Sequence, residues 1–187
     1  MDFLPGLRSI TTGPVDDAAV TAAAGYDVAV VYAGTDLGTA AEDTDRTDLA
    51  LPGAQAELIR RVAAANPRTV VYLETIGQVD LGAVGPVPAL LWSSYNGQRK
   101  GEALADVLLG TVNPSARLPF TWYADPRQLP AIGDYAIRPS ATSAGRTYMY
   151  FTGNVAYPFG HGLSYTTFSL TNLRVSSPTM TGQPAVL

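Results

Sequence analysis

Tyr26-Asp27-Val28-Ala29-Val30-Val31-Tyr32-Ala33 is the stretch on which the fold turns. It is a continuous apolar run rich in β-branched residues, the pattern of a strand covered on both faces. Upstream, residues 15–24 read as a helix, with Asp16 and Asp17 in the first turn and Gly25 as the stop. Downstream comes a polar, acidic loop over 34–52. Residues 53–66 then read as an amphipathic helix with Leu58, Val62 and Ala65 on one stripe, ended by Pro67. Residues 69–75 (TVVYLET) predict a second buried strand, Gly77 and Gly82 bracket a loop, and 87–92 predict a third strand. A helix over 101–109 follows and stops at Gly110. Strand, helix, strand, loop, strand, helix is the order of an α/β fold, with a mainly parallel sheet sandwiched by helices.

Beyond Gly110 the periodicity dissolves. Residues 113–162 are rich in Pro and aromatics, and so long a stretch without helix or strand pattern is usually functional or interface-forming. Residues 165–170 alternate and carry Thr and aromatics, as an antiparallel strand does, while 176–187 are polar with two Pro. About a dozen unpatterned residues precede the first helix, so part of the domain is expected to lie upstream of residue 1.

The chain has 187 residues, 47% of them hydrophobic and 15% charged, the composition of a core-forming globular chain. Its 18 Gly and 14 Pro require long loops. A net charge of −4 argues against a nucleic-acid partner, and no apolar run reaches the roughly 20 residues of a membrane span. The N-terminus has no charged segment followed by an apolar one, so no secretory leader is read there, and the compartment stays undetermined. Cys is absent and His161 is the only histidine. Thiol nucleophiles, zinc-thiolate centres and multi-His metal sites are thereby excluded, no metal or cofactor is expected, and the chemistry falls to carboxylates. His161, between Gly160 and Gly162, reads as a turn or packing residue.

The acidic loop leaves the carboxyl end of a buried strand, where open α/β sheets place their ligands. Asp36, Glu42, Asp43, Asp45 and Asp48 crowd there with one cation, Arg46. Like charges raise a neighbour's pKa and Arg46 lowers it, and a carboxyl kept protonated near neutral pH can serve as a general acid. The plain alternative is a solvated loop in which Asp45, Arg46 and Asp48 form local caps and ion pairs. A calcium loop is disfavoured by the spacing. Glu74, at the end of the second strand, is a rival acid supported by position alone. Trp92 and Trp122 are candidate sugar-stacking platforms, and equally core aromatics. A nucleotide site is disfavoured, since no Gly-x-Gly-x-x-Gly follows the first strand and the acidic loop would repel phosphate.

Glu42-Asp43-Thr44-Asp45-Arg46-Thr47-Asp48-Leu49-Ala50-Leu51-Pro52-Gly53-Ala54-Gln55 resembles the E-x-x-D-R-x-x-L-x-L-P-G-x-Q stretch of glycoside hydrolase family 3. The resemblance continues in order through Asn113-Pro114-Ser115-Ala116-Arg117-Leu118-Pro119, Arg146-Thr147-Tyr148 and Tyr157-Pro158-Phe159-Gly160-His161-Gly162-Leu163-Ser164-Tyr165-Thr166-Thr167-Phe168. Thr121-Trp122-Tyr123 and Asp134-Tyr135-Ala136-Ile137-Arg138 are more similar to the β-xylosidase and α-arabinofuranosidase branch than to typical β-glucosidases. The family's Gly-Gly-Pro-Val-Asp turn reads Ile76-Gly77-Gln78-Val79-Asp80 here. Its Tyr-Pro-Gly-Gln-x-Gly-Gly reads Tyr95-Asn96-Gly97-Gln98-Arg99-Lys100-Gly101.

The resemblance implies a three-part architecture. A (β/α) barrel carries an Asp nucleophile, an α/β sandwich carries the general acid/base Glu, and many members add a fibronectin type III-like β-sandwich. Residues 1–163 correspond to the α/β sandwich and 164–187 to the first strand of the β-sandwich. The barrel, a required partner, lies outside this chain. Glu42 matches the acid/base position, three residues before Asp45-Arg46, and the pair is assigned to holding the loop. The implied substrate is a glycoside or oligosaccharide with a terminal β-xylosyl, or β-glucosyl or arabinosyl, residue. A retaining mechanism needs two carboxyl groups about 5–5.5 Å apart. This chain supplies only the second, so it is expected to be inactive alone. The rival reading is a non-catalytic carbohydrate-binding or interaction module built on Trp92, Trp122 and the Tyr-rich tail.

Overall fold

The structure, a computed structural model, describes residues 1–143 and 145–174. Helix α1 (Asp17–Ala23) starts where the sequence places its cap, with Asp16 accepting from the Ala18 N–H at 2.8 Å. Strand β1 (Ala29–Gly34), helix α2 (Gln55–Ala65) and strand β2 (Thr69–Glu74) follow, then a short helix α3 (Leu81–Val84), strand β3 (Ala89–Ser93) and helix α4 (Lys100–Leu108). The three strands form a parallel sheet in the order β1-β2-β3, as the alternation of elements predicts. Helix α3 lies where a loop is read from the sequence; Asp80 caps it through the Gly82 N–H at 2.8 Å.

Register explains the core. Val31 pairs with Val71 and Val71 with Leu90; Ala33 pairs with Leu73 and Leu73 with Trp92. This face meets Leu58, Ile59 and Val62 of α2, and these residues form the buried cluster. Asn66, buried at the end of α2, donates to the Ala23 and Tyr26 carbonyls at 2.9 and 2.8 Å, which ties α2 to the end of α1.

The opposite face departs from the sequence expectation. Strand β1 is not covered on both faces: Val30 and Tyr32 are 43 and 51% exposed, and Val28, just before the strand, is 52% exposed. Helices α1 and α2 cover only the Val31 and Ala33 side, and α4 contributes no buried residue. The 113–162 stretch is largely irregular, as its sequence predicts, apart from a short 3-10 turn and one small strand pair. Strands β4 (Trp122–Tyr123) and β5 (Val155–Tyr157) pair antiparallel, with Trp122 opposite Tyr157. Tyr165–Leu170, expected as a strand, carries no strand pairing among the described residues, and 175–187 lie outside them. Among the described residues no helix is long and apolar enough to cross a membrane, and no cluster of acidic or His side chains is arranged to hold a metal ion.

Candidate functional site

The acidic loop is built on a tight join between β1 and β2. A Cβ on Gly34 would stand 2.1 Å from the Glu74 carbonyl oxygen, so only glycine lets the strands approach this closely. Gln55, at the start of α2 and 2% exposed, clamps the same point. Its Oε1 accepts from the Gly34 N–H at 2.7 Å, and its Nε2 donates to the Gly34 and Pro52 carbonyls at 2.9 and 3.1 Å. Both ends of the loop are thus fixed to one buried amide. Thr35 continues the join: its hydroxyl accepts from the Ile76 N–H at 3.1 Å and bonds the Tyr95 hydroxyl at 2.9 Å.

From there the chain makes two turns. The Asp36 carbonyl accepts from the N–H groups of Thr39 and Ala40, and its carboxylate accepts from the Gly38 N–H. Ala41 and Thr44 then exchange backbone hydrogen bonds of 3.2 and 3.0 Å, which puts Glu42 and Asp43 at the tip. Asp43 adopts φ 63°, a left-handed conformation that Asp tolerates better than most side chains. Glu42 is exposed at this tip.

Arg46 brings the loop home. Its guanidinium donates to the Gln78 carbonyl at 3.0 Å and to the Ala50 carbonyl at 3.2 Å. Burial pulls its pKa below the ordinary value, partly countered by the nearby Asp48 and Tyr95. Asp48 accepts from the Ala50 N–H at 2.9 Å, a local cap. A cavity of about 390 Å³ lies at the foot of the loop beside Thr39, Arg46, Asp48 and Leu51. The arrangement is an exposed carboxyl at the tip of a hydrogen-bonded turn, beyond the carboxyl end of a parallel sheet. Such a group is free to meet a substrate bound outside this chain.

The other sequence candidates fall elsewhere. Glu74 is 6% exposed and committed: one oxygen accepts from Lys100 Nζ at 2.8 Å and the other from the Asn96 N–H at 3.2 Å. Trp122 is 1% exposed and donates to the Val79 carbonyl at 2.8 Å. Trp92, Phe120 and Tyr157 pack around it, with centroids about 6 Å away. It offers no ring face to a sugar, so the stacking expectation is corrected for this residue. Trp92 lies in the same cluster, half-buried, with Nε1 donating to the Thr75 hydroxyl at 2.8 Å, and it packs as a core aromatic. The His161 ring stacks on Tyr157 at 4.6 Å, in keeping with its reading as a packing residue. Sequence reasoning missed the anchoring by Gln55, Gln78 and Tyr95. The Gln in the L-P-G-x-Q stretch was the available signal; Gln78 anchors the loop through its main-chain carbonyl, which any residue would supply.

Residues 3–165 match the family model described as the glycosyl hydrolase family 3 C-terminal domain. The chain is 40% identical over 156 residues to a probable β-D-xylosidase 6 of Arabidopsis thaliana, covering 80% of this chain and 20% of that protein. It is 40% identical over 171 residues to a probable exo-1,4-β-xylosidase of Aspergillus terreus, covering 89% and 21%. Among solved structures it resembles an exo-β-xylosidase bound to a xylobiose aziridine probe, with TM-score 0.77 and 38% identity over 87% of this chain and 22% of that one. The chain spans about a fifth of the length of the curated relatives it matches.

Proposed function

Because the chain belongs to glycosyl hydrolase family 3, through the family's C-terminal domain, we propose that it supplies the general acid/base of a retaining β-glycosidase, with Glu42 as that group. The observation that carries this reading is the Ala41–Thr44 turn, which holds Glu42 exposed at the tip of a loop tied down by Gln55 and Arg46. The carboxyl protonates the leaving oxygen as the glycosidic bond breaks, then takes a proton from the water that releases the sugar. The nucleophile comes from a barrel partner. The substrate class is a glycoside with a terminal non-reducing β-xylosyl residue, the activity for which the relatives above are named. β-Glucosyl and arabinosyl ends are the neighbouring choices. The rival carbohydrate-binding module loses its main platform with the burial of Trp122.

Nitrophenyl β-xyloside hydrolysis tests the proposal. This chain alone is expected to give no turnover. Joined to a barrel domain it is expected to turn over, and Glu42→Gln to lower kcat by about 10²–10⁴-fold. Azide should then restore part of the rate, because it attacks without needing a base. Robust turnover by this chain alone that disappears in Glu42→Ala, or a joined enzyme indifferent to Glu42→Gln, overturns the assignment.

A further inference from the structure

Between residues 129 and 151, polar groups bond one another while large apolar side chains face water. Asp134 accepts from the Ala136 N–H at 2.9 Å and from the Ser143 hydroxyl at 2.6 Å. The Arg146 N–H donates to the Ile137 carbonyl at 2.9 Å. Its guanidinium donates to the Ala131 carbonyl at 2.9 Å and stands over the Tyr135 ring. A Cβ on Gly145 would lie 2.8 Å from the Pro139 nitrogen, so the loop closes this tightly only with glycine. The segment is thus braced by its own contacts, yet Ile132, Tyr135, Ile137, Tyr148 and Met149 are 53 to 82% exposed.

Composition points the same way. Residues 129–151 include Tyr135, Tyr148 and Tyr150, Met149, Arg138 and Arg146, and contain no Lys or Glu. Aromatic residues, Met and Arg are enriched at protein interfaces, whereas Lys and Glu are depleted. A braced loop that presents such residues has little freedom left to lose when it is covered.

The position of this surface selects its occupant. Gln78 joins it to the acidic loop. The Gln78 main-chain carbonyl accepts from Arg46 at 3.0 Å, and its side-chain oxygen accepts from the Tyr123 N–H at 2.9 Å. Gln78 also borders the groove that Thr147 and Tyr148 line. The surface therefore flanks the loop that carries Glu42. A retaining pair of carboxyl groups stands about 5–5.5 Å apart, so the domain bearing the nucleophile must come up against that loop. Interdomain interfaces bury about 600–1,500 Å², and a loop crowded with carboxylates offers little adhesive surface of its own. The chain spans about a fifth of its curated relatives, so most of such an enzyme lies outside it. We propose that Ile132, Tyr135, Ile137, Tyr148 and Met149 form the docking surface for the barrel domain, a proposal that rests on the acid/base reading of Glu42.

Hydroxyl-radical footprinting of this chain alone and of the barrel-joined enzyme tests it, since Tyr and Met side chains are labelled according to their exposure. Labelling of Tyr135, Tyr148 and Met149 should fall about tenfold on joining, as water is excluded from a packed interface. Ile132→Lys combined with Ile137→Lys places two charges on side chains already open to water. In the joined enzyme this double variant should return Met149 to the labelling rate of the free chain and split one unfolding transition into two. The same variant of the chain alone should keep its unfolding midpoint. Glu42→Gln should lower turnover of the joined enzyme and leave the protection intact. Equal labelling of the three residues in the chain and the joined enzyme overturns the docking surface, even where Glu42→Gln abolishes turnover. A double variant protected like its joined parent does the same. Protection that appears in the chain alone as its concentration rises also overturns it, by assigning the surface to a second copy. A protected surface in an enzyme indifferent to Glu42→Gln supports the docking surface and removes only the acid/base role.

Discussion

At the residue scale, the acidic loop depends on Gln55. One buried amide satisfies the N–H and C=O of Gly34 and the carbonyl of Pro52, the two places where the loop departs and returns. Gln55→Leu keeps the volume but leaves these buried groups unpaired, at about 1–3 kcal/mol each before relaxation. We expect a loss of about 2–4 kcal/mol in urea unfolding, and a loss under 0.5 kcal/mol would contradict the clamp. Residue identity was unevenly legible. The motif gives Glu42 a spacing from Asp45-Arg46, but its exposed place at the tip of the Ala41–Thr44 turn depends on backbone pairing that the sequence does not display. Arg46's role as a tether was readable, but not its partners, because main-chain carbonyls such as those of Gln78 and Ala50 leave no trace in sequence. Trp122 was open to misreading because an aromatic residue looks alike in a core and on a sugar platform.

At the element scale, legibility followed length. Helix α2 was visible from its period over eleven residues, and strands β1 and β2 from unbroken apolar runs of about six. Helix α3, with four residues, and β4, with two, are too short to show any period. Pairing of β4 with β5 also joins residues far apart in the chain, which local pattern cannot register. A 3-10 turn at Pro126–Gln128 follows β4 and makes a prediction. Asp125 caps this turn through the Arg127 N–H and also pairs with the Arg127 side chain, with contacts from 2.5 to 3.0 Å. Hydrogen bonding from the Arg127 side chain, then from its backbone N–H, holds the Asp125 pKa at about 2, below the ordinary 3.8. A depressed carboxylate pKa adds stability that is fully present above the ordinary value and lost as pH falls through the folded one. The cap should therefore persist at pH 5 and dissolve between about 3.8 and about 2. In an NMR titration the Asp125 carboxyl and the Arg127 amide should share a midpoint near the lower end. A midpoint at the ordinary value would mean the pair is not formed in solution.

At the scale of the whole molecule, β2 is buried on both faces, Tyr72 and Glu74 being 6% exposed, whereas the outer strand β1 is covered on one face only. Val31, Ala33, Val71 and Leu73 are sealed beneath the helices, while Val30 and Tyr32 of β1, with Val28 just before it, leave an apolar strip partly open to water. Because β1 is also an outer strand of the β1-β2-β3 sheet, its backbone edge lies beside that strip. An exposed apolar strip next to an unpaired strand edge promotes association between chains. The net charge of −4 opposes this only through long-range repulsion, which salt screens within about 8–10 Å. The chain on its own should therefore self-associate as its concentration rises, and more strongly in high salt. Val30→Lys places a charge in the middle of the strip, where the side chain is already 43% exposed. The substitution should suppress association while changing the unfolding free energy by no more than about 1 kcal/mol, since the site is partly exposed and the aliphatic stem of Lys can cover the strand as Val30 does. Sedimentation velocity across a concentration series, at low and high salt, reads the outcome. A parent chain that stays monomeric throughout, or a Val30→Lys variant that associates as strongly, would show that the open strip does not drive contact between chains.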